Sequence, residues 1–140
     1  MKLLSVKLSL LLLLPAFVYA EGLPISPSPE GARVYIISPL DGAELDSKFT
    51  VRFGLQGMGV APAGFDKANT GHHHLLVDGQ ELPALDQPLG VEVMHFGGGQ
   101  TEKTIQLPAG KHTLQLVLGN YLHIPHNPPV MSEKISITVK

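Results

Sequence analysis

The sequence reads as an all-β protein, an immunoglobulin-like antiparallel β-sandwich of about seven strands behind a signal peptide. Three observations lead there. Short runs of β-branched, aromatic and leucine residues with two-residue alternation recur from Arg33 onward. Glycine- and proline-bearing turns separate these runs, in keeping with 15 glycines and 12 prolines among 140 residues. No stretch carries the apolar period of an amphipathic helix.

Met1–Ala20 has the layout of a secretory signal: Lys2 and Lys7 at the positive end, an apolar centre from Leu8 to Leu14, and Val18-Tyr19-Ala20 as a small-residue cleavage site. The mature chain is expected to begin at Glu21. The apolar centre is short, Pro15 follows it, and no stop-transfer pattern comes after, so export to the periplasm or the medium is expected rather than anchoring. No later segment is long and apolar enough to span a membrane. The chain has no cysteine, which excludes a disulfide scaffold and a lipid on an N-terminal cysteine. Without Lys2 and Lys7, eight basic residues face twelve acidic ones, a formal charge of −4 with the histidines neutral. The remaining lysines and arginines are scattered singly, so no basic stripe is present to neutralise phosphates, and nucleic acid is not an expected partner.

Residues 21–32, with Pro24, Pro27 and Pro29, read as an extended leader, and 33–140 as a single sandwich domain, a length that can bury an adequate core without metal. Arg33–Ser38 is the first strand, and Pro39-Leu40-Asp41-Gly42 turns the chain. Lys48–Gln56 alternates, with Phe49, Val51, Phe53 and Leu55 on one face. Gly57–Thr70 reads as a long loop, a feature that is more often functional than idle in a compact domain. A strand over 72–78 ends at the Asp78-Gly79 turn. Pro83 and Pro88 make Leu82–Leu89 an irregular or edge segment. Thr101–Leu107, His112–Leu118 and Lys134–Val139 complete the strands, with His112, Leu114, Leu116 and Leu118 on one face and Ile135, Ile137 and Val139 toward the core.

The chemistry concentrates in seven histidines. In a strand, His72 and His74 share a face roughly 6 to 7 Å apart along the backbone, a chelating spacing, while His73 faces the other way. His123 and His126 sit in a loop stiffened by Pro125, Pro128 and Pro129, and His95 precedes Gly97-Gly98-Gly99. Loops cluster at the ends of a sandwich, so His72, His74, His95, His123 and His126 are the candidate metal ligands. Copper or zinc is the expected ion. Met58, Met94 and Met131 would favour copper as soft thioether ligands, although methionines more often fill gaps in a core. His73 and His112 are the best candidates for ordinary hydrogen-bonded or solvated side chains. The alternation does not say which face of the triple-histidine strand is core.

The blocks Gly71-His72-His73-His74-Leu75-Leu76-Val77-Asp78, His95-Phe96-Gly97-Gly98-Gly99-Gln100-Thr101-Glu102 and Pro108–Gly119 followed by His123-Ile124-Pro125-His126 resemble those of a bacterial exported-domain family of unknown function. The resemblance covers Arg33–Val139. It implies a periplasmic or secreted β domain and brings no established substrate.

The functional reading is an exported protein that binds copper or zinc through a histidine cluster, as a carrier or sensor. Second stands a non-catalytic immunoglobulin-like interaction or structural module of the cell envelope, with an envelope protein as partner. Third is a zinc-dependent hydrolase with Glu102 or Asp66 as base, which lacks a His-Glu-x-x-His spacing and a helix to carry one. No catalytic residue is assigned, and a non-catalytic role is favoured. Gly97-Gly98-Gly99 leads into a strand without a Lys-Ser/Thr pair, which excludes a phosphate loop. Lys67, Asn69 and Glu102 are polar candidates for a pocket near those glycines.

Overall fold

The computed structural model describes residues 22–79, 82 and 84–140. The signal-peptide reading of Met1–Ala20 and the mature start at Glu21 lie outside them. The fold is an all-β sandwich. Its smaller sheet holds β1 (Arg33–Ser38), β3 (Lys48–Gln56) and β7 (Glu102–Gln106), in the order β1-β3-β7. The larger runs β2 (Glu44–Leu45), β9 (Ile135–Val139), β8 (Gly110–Gly119), β5 (Thr70–Val77) and β4 (Gly59–Val60), with β6 (Met94–His95) also paired to β5.

The six long strands fall where alternation places them. The two-residue strands β2, β4 and β6 are additions, because two residues cannot show a period. They also change the pairing: β2 runs parallel to β9 and β4 parallel to β5, so the larger sheet is mixed. Leu82–Leu89 contributes no strand among its described residues.

Alternation sends Val51 and Phe53 of β3, Ile105 of β7, Leu114, Leu116 and Leu118 of β8, and Ile137 and Val139 of β9 into the space between the sheets. Leu75 of β5 joins them, and His73 shares its face, with its ring centroid 5.1 Å from that of Phe53. The other face of β5 does not meet water. There Leu76 and Val117 pack against Leu89 and Val93 of the irregular segment, with Leu82 and Met131 alongside. This third layer makes β5 a strand buried on both faces, which is why its middle residues read as a continuous apolar run rather than as a clean alternation.

The 22–32 segment is extended and tied to the loop after β8. Pro27 bridges Asn127, Ser28 N donates to the Asn127 carbonyl, Asn127 N donates to the Ser26 carbonyl, and Ser28 Oγ donates to the Pro128 carbonyl. At the other end of β8, His112 Nδ1 donates to Asp78 Oδ2 at 2.9 Å while its Nε2 lies 2.8 Å from the Pro108 carbonyl. Both neighbours accept, and the hydrogen bond to Asp78 raises the pKa of the ring above 6.5. His112 is therefore a latch between the Asp78-Gly79 turn and the start of β8.

Leu116 is fully buried at the centre of the inter-sheet core. Truncation to Ala is expected to cost about 2–5 kcal/mol in a chemical-denaturation experiment; a loss near zero would mean that the faces of β8 are reversed.

Candidate metal centre

Cross-strand register assembles the centre. His72 and His74 share the outer face of β5, and β6 places His95 directly opposite His74. Residues opposite each other in neighbouring strands share a face at close range. On the other side of β5, Gly119 stands opposite His72. A Cβ at Gly119 would lie 2.6 Å from His74 Cε1 and 3.3 Å from His123 Cα, so glycine is what lets ring and loop close over the strand. Gly97 does the same for His95, whose ring occupies the space a Cβ there would need.

His123 completes the group from the loop after β8. Its backbone sits in the left-handed region at φ 66°, an uncommon conformation for a residue with a side chain. Asn120 holds it there. The Asn120 Oδ1 accepts from Leu122 N at 2.9 Å and Ile124 N at 3.0 Å, and its carbonyl accepts from His123 N at 2.9 Å. Its Nδ2 donates to Ser26 Oγ at 3.0 Å and lies 3.3 Å from the Pro24 carbonyl. Leu89 N donates to the His123 carbonyl, so the irregular segment also registers on this loop.

Among the described residues, the four imidazoles of His72, His74, His95 and His123 each offer one nitrogen, and these nitrogens lie within 4.8 Å of one another. All six ring-to-ring centroid distances fall between 4.5 and 5.8 Å. Around a tetrahedral ion at 2.0–2.1 Å the nitrogens would be about 3.4 Å apart, so small ring movements close the set. The hydrogen bonding fits an ion as well. His72 Nε2 and His123 Nδ1 share one hydrogen bond at 3.0 Å, but His72 Nδ1 and both nitrogens of His74 are buried with no well-formed hydrogen bond among the described residues. Such orphans cost about 1–3 kcal/mol each, and coordination would satisfy them.

Burial pushes the pKa of His72 down to about 4 and that of His74 to about 3, with the neighbouring imidazoles adding repulsion against a second positive charge. His123 is lowered for the same two reasons, burial first and His95 second. Burial thus favours the neutral form of His72, His74 and His123, the state in which imidazole binds metals. His72 and His74 are fully buried, His123 is half-buried and His95 is exposed, so the group runs from the protein interior to its surface.

His126 is not in this group. Its Nδ1 lies 3.3 Å from the Leu118 carbonyl and its Nε2 3.2 Å from the Thr70 carbonyl, so both ring nitrogens turn to backbone behind His72. His73 points into the inter-sheet core, where burial lowers its pKa to about 4 against a smaller opposing effect of the Gln100 backbone. His112 is at the far end of β8, about 20 Å along the strand. Met58 and Met131 pack into the two apolar clusters, and Met94, opposite Leu75, alternates away from His95. The methionines therefore give no ground for copper over zinc. Glu102 is engaged with Arg52 at 2.9 Å on the smaller sheet, and Asp66, Lys67 and Asn69 line a separate cavity with Pro24 and Tyr121. Sequence reasoning missed Asn120, although a Gly-Asn pair at the end of an apolar strand is a turn signal.

Residues 51–140 match the family described as domain of unknown function (DUF4399). The chain belongs to this family. The matched stretch of DUF4399 contains all four histidines of the group together with Gly97, Gly119 and Asn120. No curated protein matches the chain. Among solved structures it is similar to the X-ray structure of the endo-beta-1,4-mannanase from Thermotoga petrophila, at 19% sequence identity and a TM-score of 0.49, over 79% of this chain and 20% of that one. The chain spans about a fifth of that protein's length.

Metal-free DUF4399 protein is expected to be acid-labile. Below pH 6.5 the unfolded chain takes up protons on His72, His73 and His74, whereas the folded chain does so only near 4, 4 and 3, so acid favours unfolding across that window. His112 acts in the opposite sense: its contribution is full below 6.5 and is lost as pH rises through its raised folded value. The contribution of His112 is already full below 6.5 and does not oppose this trend, and the lowered His123 adds to it, so the melting temperature should fall steadily from pH 6.5 to about 4. Thermal melts across that range check this, and the slope should flatten in a His72→Leu/His74→Leu variant.

Proposed function

We propose that this chain is an exported transition-metal carrier that holds one copper(II) or zinc(II) ion between His72, His74, His95 and His123. The carrying observation is that four imidazoles converge within 4.8 Å, with three buried nitrogens that make no well-formed hydrogen bond among the described residues. An all-imidazole set suits both ions, and the Irving–Williams order makes copper(II) the tighter of the two. Two ligands are buried and one is exposed, an arrangement that retains an ion yet leaves a route for exchange. The group contains no carboxylate to act as a base, which favours carriage over hydrolysis. The signal-like Met1–Ala20 supports export to the periplasm or the medium, where an envelope protein would donate or accept the ion.

Calorimetric titration of the mature chain with copper(II) and zinc(II) tests this, beside thermal melts. One ion per chain is expected, with stabilisation of about 2.7 kcal/mol at a free ion concentration of a hundred times Kd. His72→Ala/His74→Ala should abolish stoichiometric binding, while His126→Ala should retain it. Uptake of neither ion, or wild-type binding by the His72→Ala/His74→Ala variant, would remove the metal reading.

A further inference from the structure

The four-histidine group leaves a charge to be met. Neutral imidazoles bring no negative charge to a dication, and no carboxylate belongs to the group among the described residues. The ion would lie against fully buried His72 and His74, beside the apolar cluster of Leu76, Leu89, Val93 and Val117. An uncompensated charge in such surroundings is costly, so an anion is favoured next to it.

The structure provides a place for one. A cavity of roughly 300 Å³ opens against His74, His95 and His123, and its other walls are Leu89, Gly90, Val91 and Val93. His72 does not line it. The volume is at the small end of ligand pockets. Its polar atoms are on the histidine side and its remaining walls are aliphatic, which selects a ligand with a single anionic head and a short hydrocarbon body.

We propose that this cavity is a second binding site, in which a small aliphatic carboxylate directs its oxygen to the bound ion and packs its alkyl chain against Leu89 and Val93. The inference rests on the metal reading and adds the ligand that accompanies the ion. It involves coordination and burial, with no covalent or redox step. Glu92, whose carboxylate folds over Gly90 on the same segment and is engaged in an interaction of its own, serves as the control carboxylate.

The test is a spectrophotometric titration of copper(II)-loaded protein with formate, acetate, propionate and isobutyrate, following the visible copper band. Each added carbon that is buried should tighten binding by about fourfold. The same series on copper(II)–imidazole in solution should show no such trend. Val93→Phe, which fills the cavity, should still take up copper and lose the trend; Leu89→Phe serves the same purpose if Val93→Phe does not fold. In Glu92→Gln the trend should persist. A flat series in the wild type, an undiminished trend in the filled variant, or loss of the trend in Glu92→Gln overturns the proposal. Failure of the wild type to take up copper overturns the metal reading itself and this inference with it.

Discussion

Three consecutive histidines lie on a strand that is buried on both faces, and most of what is distinctive in this molecule follows from that constraint. Strand alternation leaves no choice: His73 must enter the inter-sheet core, and His72 and His74 must enter the layer beneath the irregular segment. In both places the rings are shut off from solvent. Burial holds them neutral, and five of their six nitrogens make no well-formed hydrogen bond among the described residues. A fold that sought stability alone would place leucine or valine here. On the outer face the cost has a compensation, because His95 and His123 arrive at the same point and the four nitrogens form a chelating set. For His73, in the core beside Phe53, no such compensation is visible.

The surrounding structure is arranged to let those rings meet. Gly119 and Gly97 remove the Cβ atoms that would collide with His74 and His95. Asn120 uses both ends of its amide, fixing the turn that carries His123 with its oxygen and tying that turn to Ser26 with its nitrogen. The 22–32 segment thereby bears on the site, although it contributes no ligand. The His112–Asp78 latch closes the far end of β8 with an opposite electrostatic logic: there the ring is hydrogen-bonded on both sides and its pKa is raised, whereas at the candidate centre burial lowers the pKa of His72 and His74. Two histidine environments at the ends of one strand thus respond to acid in opposite directions.

The long strands were legible because each carries enough residues to show its period, as Lys48–Gln56 and Gly110–Gly119 do. The chelating pair on β5 was legible for the same reason. His95 could be named from its surroundings, but its partner could not: β6 has two residues, and its register against His74 is set by packing of a segment that has no periodic pattern of its own. His123 and His126 look alike in sequence, three residues apart in one proline-rich loop. Only the backbone distinguishes them, since the left-handed turn at His123 brings its ring over β5 while His126 is turned toward the Leu118 and Thr70 carbonyls. Which face of β5 was core had no answer in the pattern because both faces are covered.

The central claim is that one ion is held by imidazole nitrogens alone on the protein's side. X-ray absorption at the metal edge reads the ligand atoms directly. For the copper(II)-loaded chain in carboxylate-free buffer, the account predicts a shell of nitrogen or oxygen scatterers at about 2.0 Å, with the outer-shell multiple scattering of four imidazole rings and no sulfur. Two imidazoles or fewer, or a sulfur scatterer from Met58, Met94 or Met131, would contradict it.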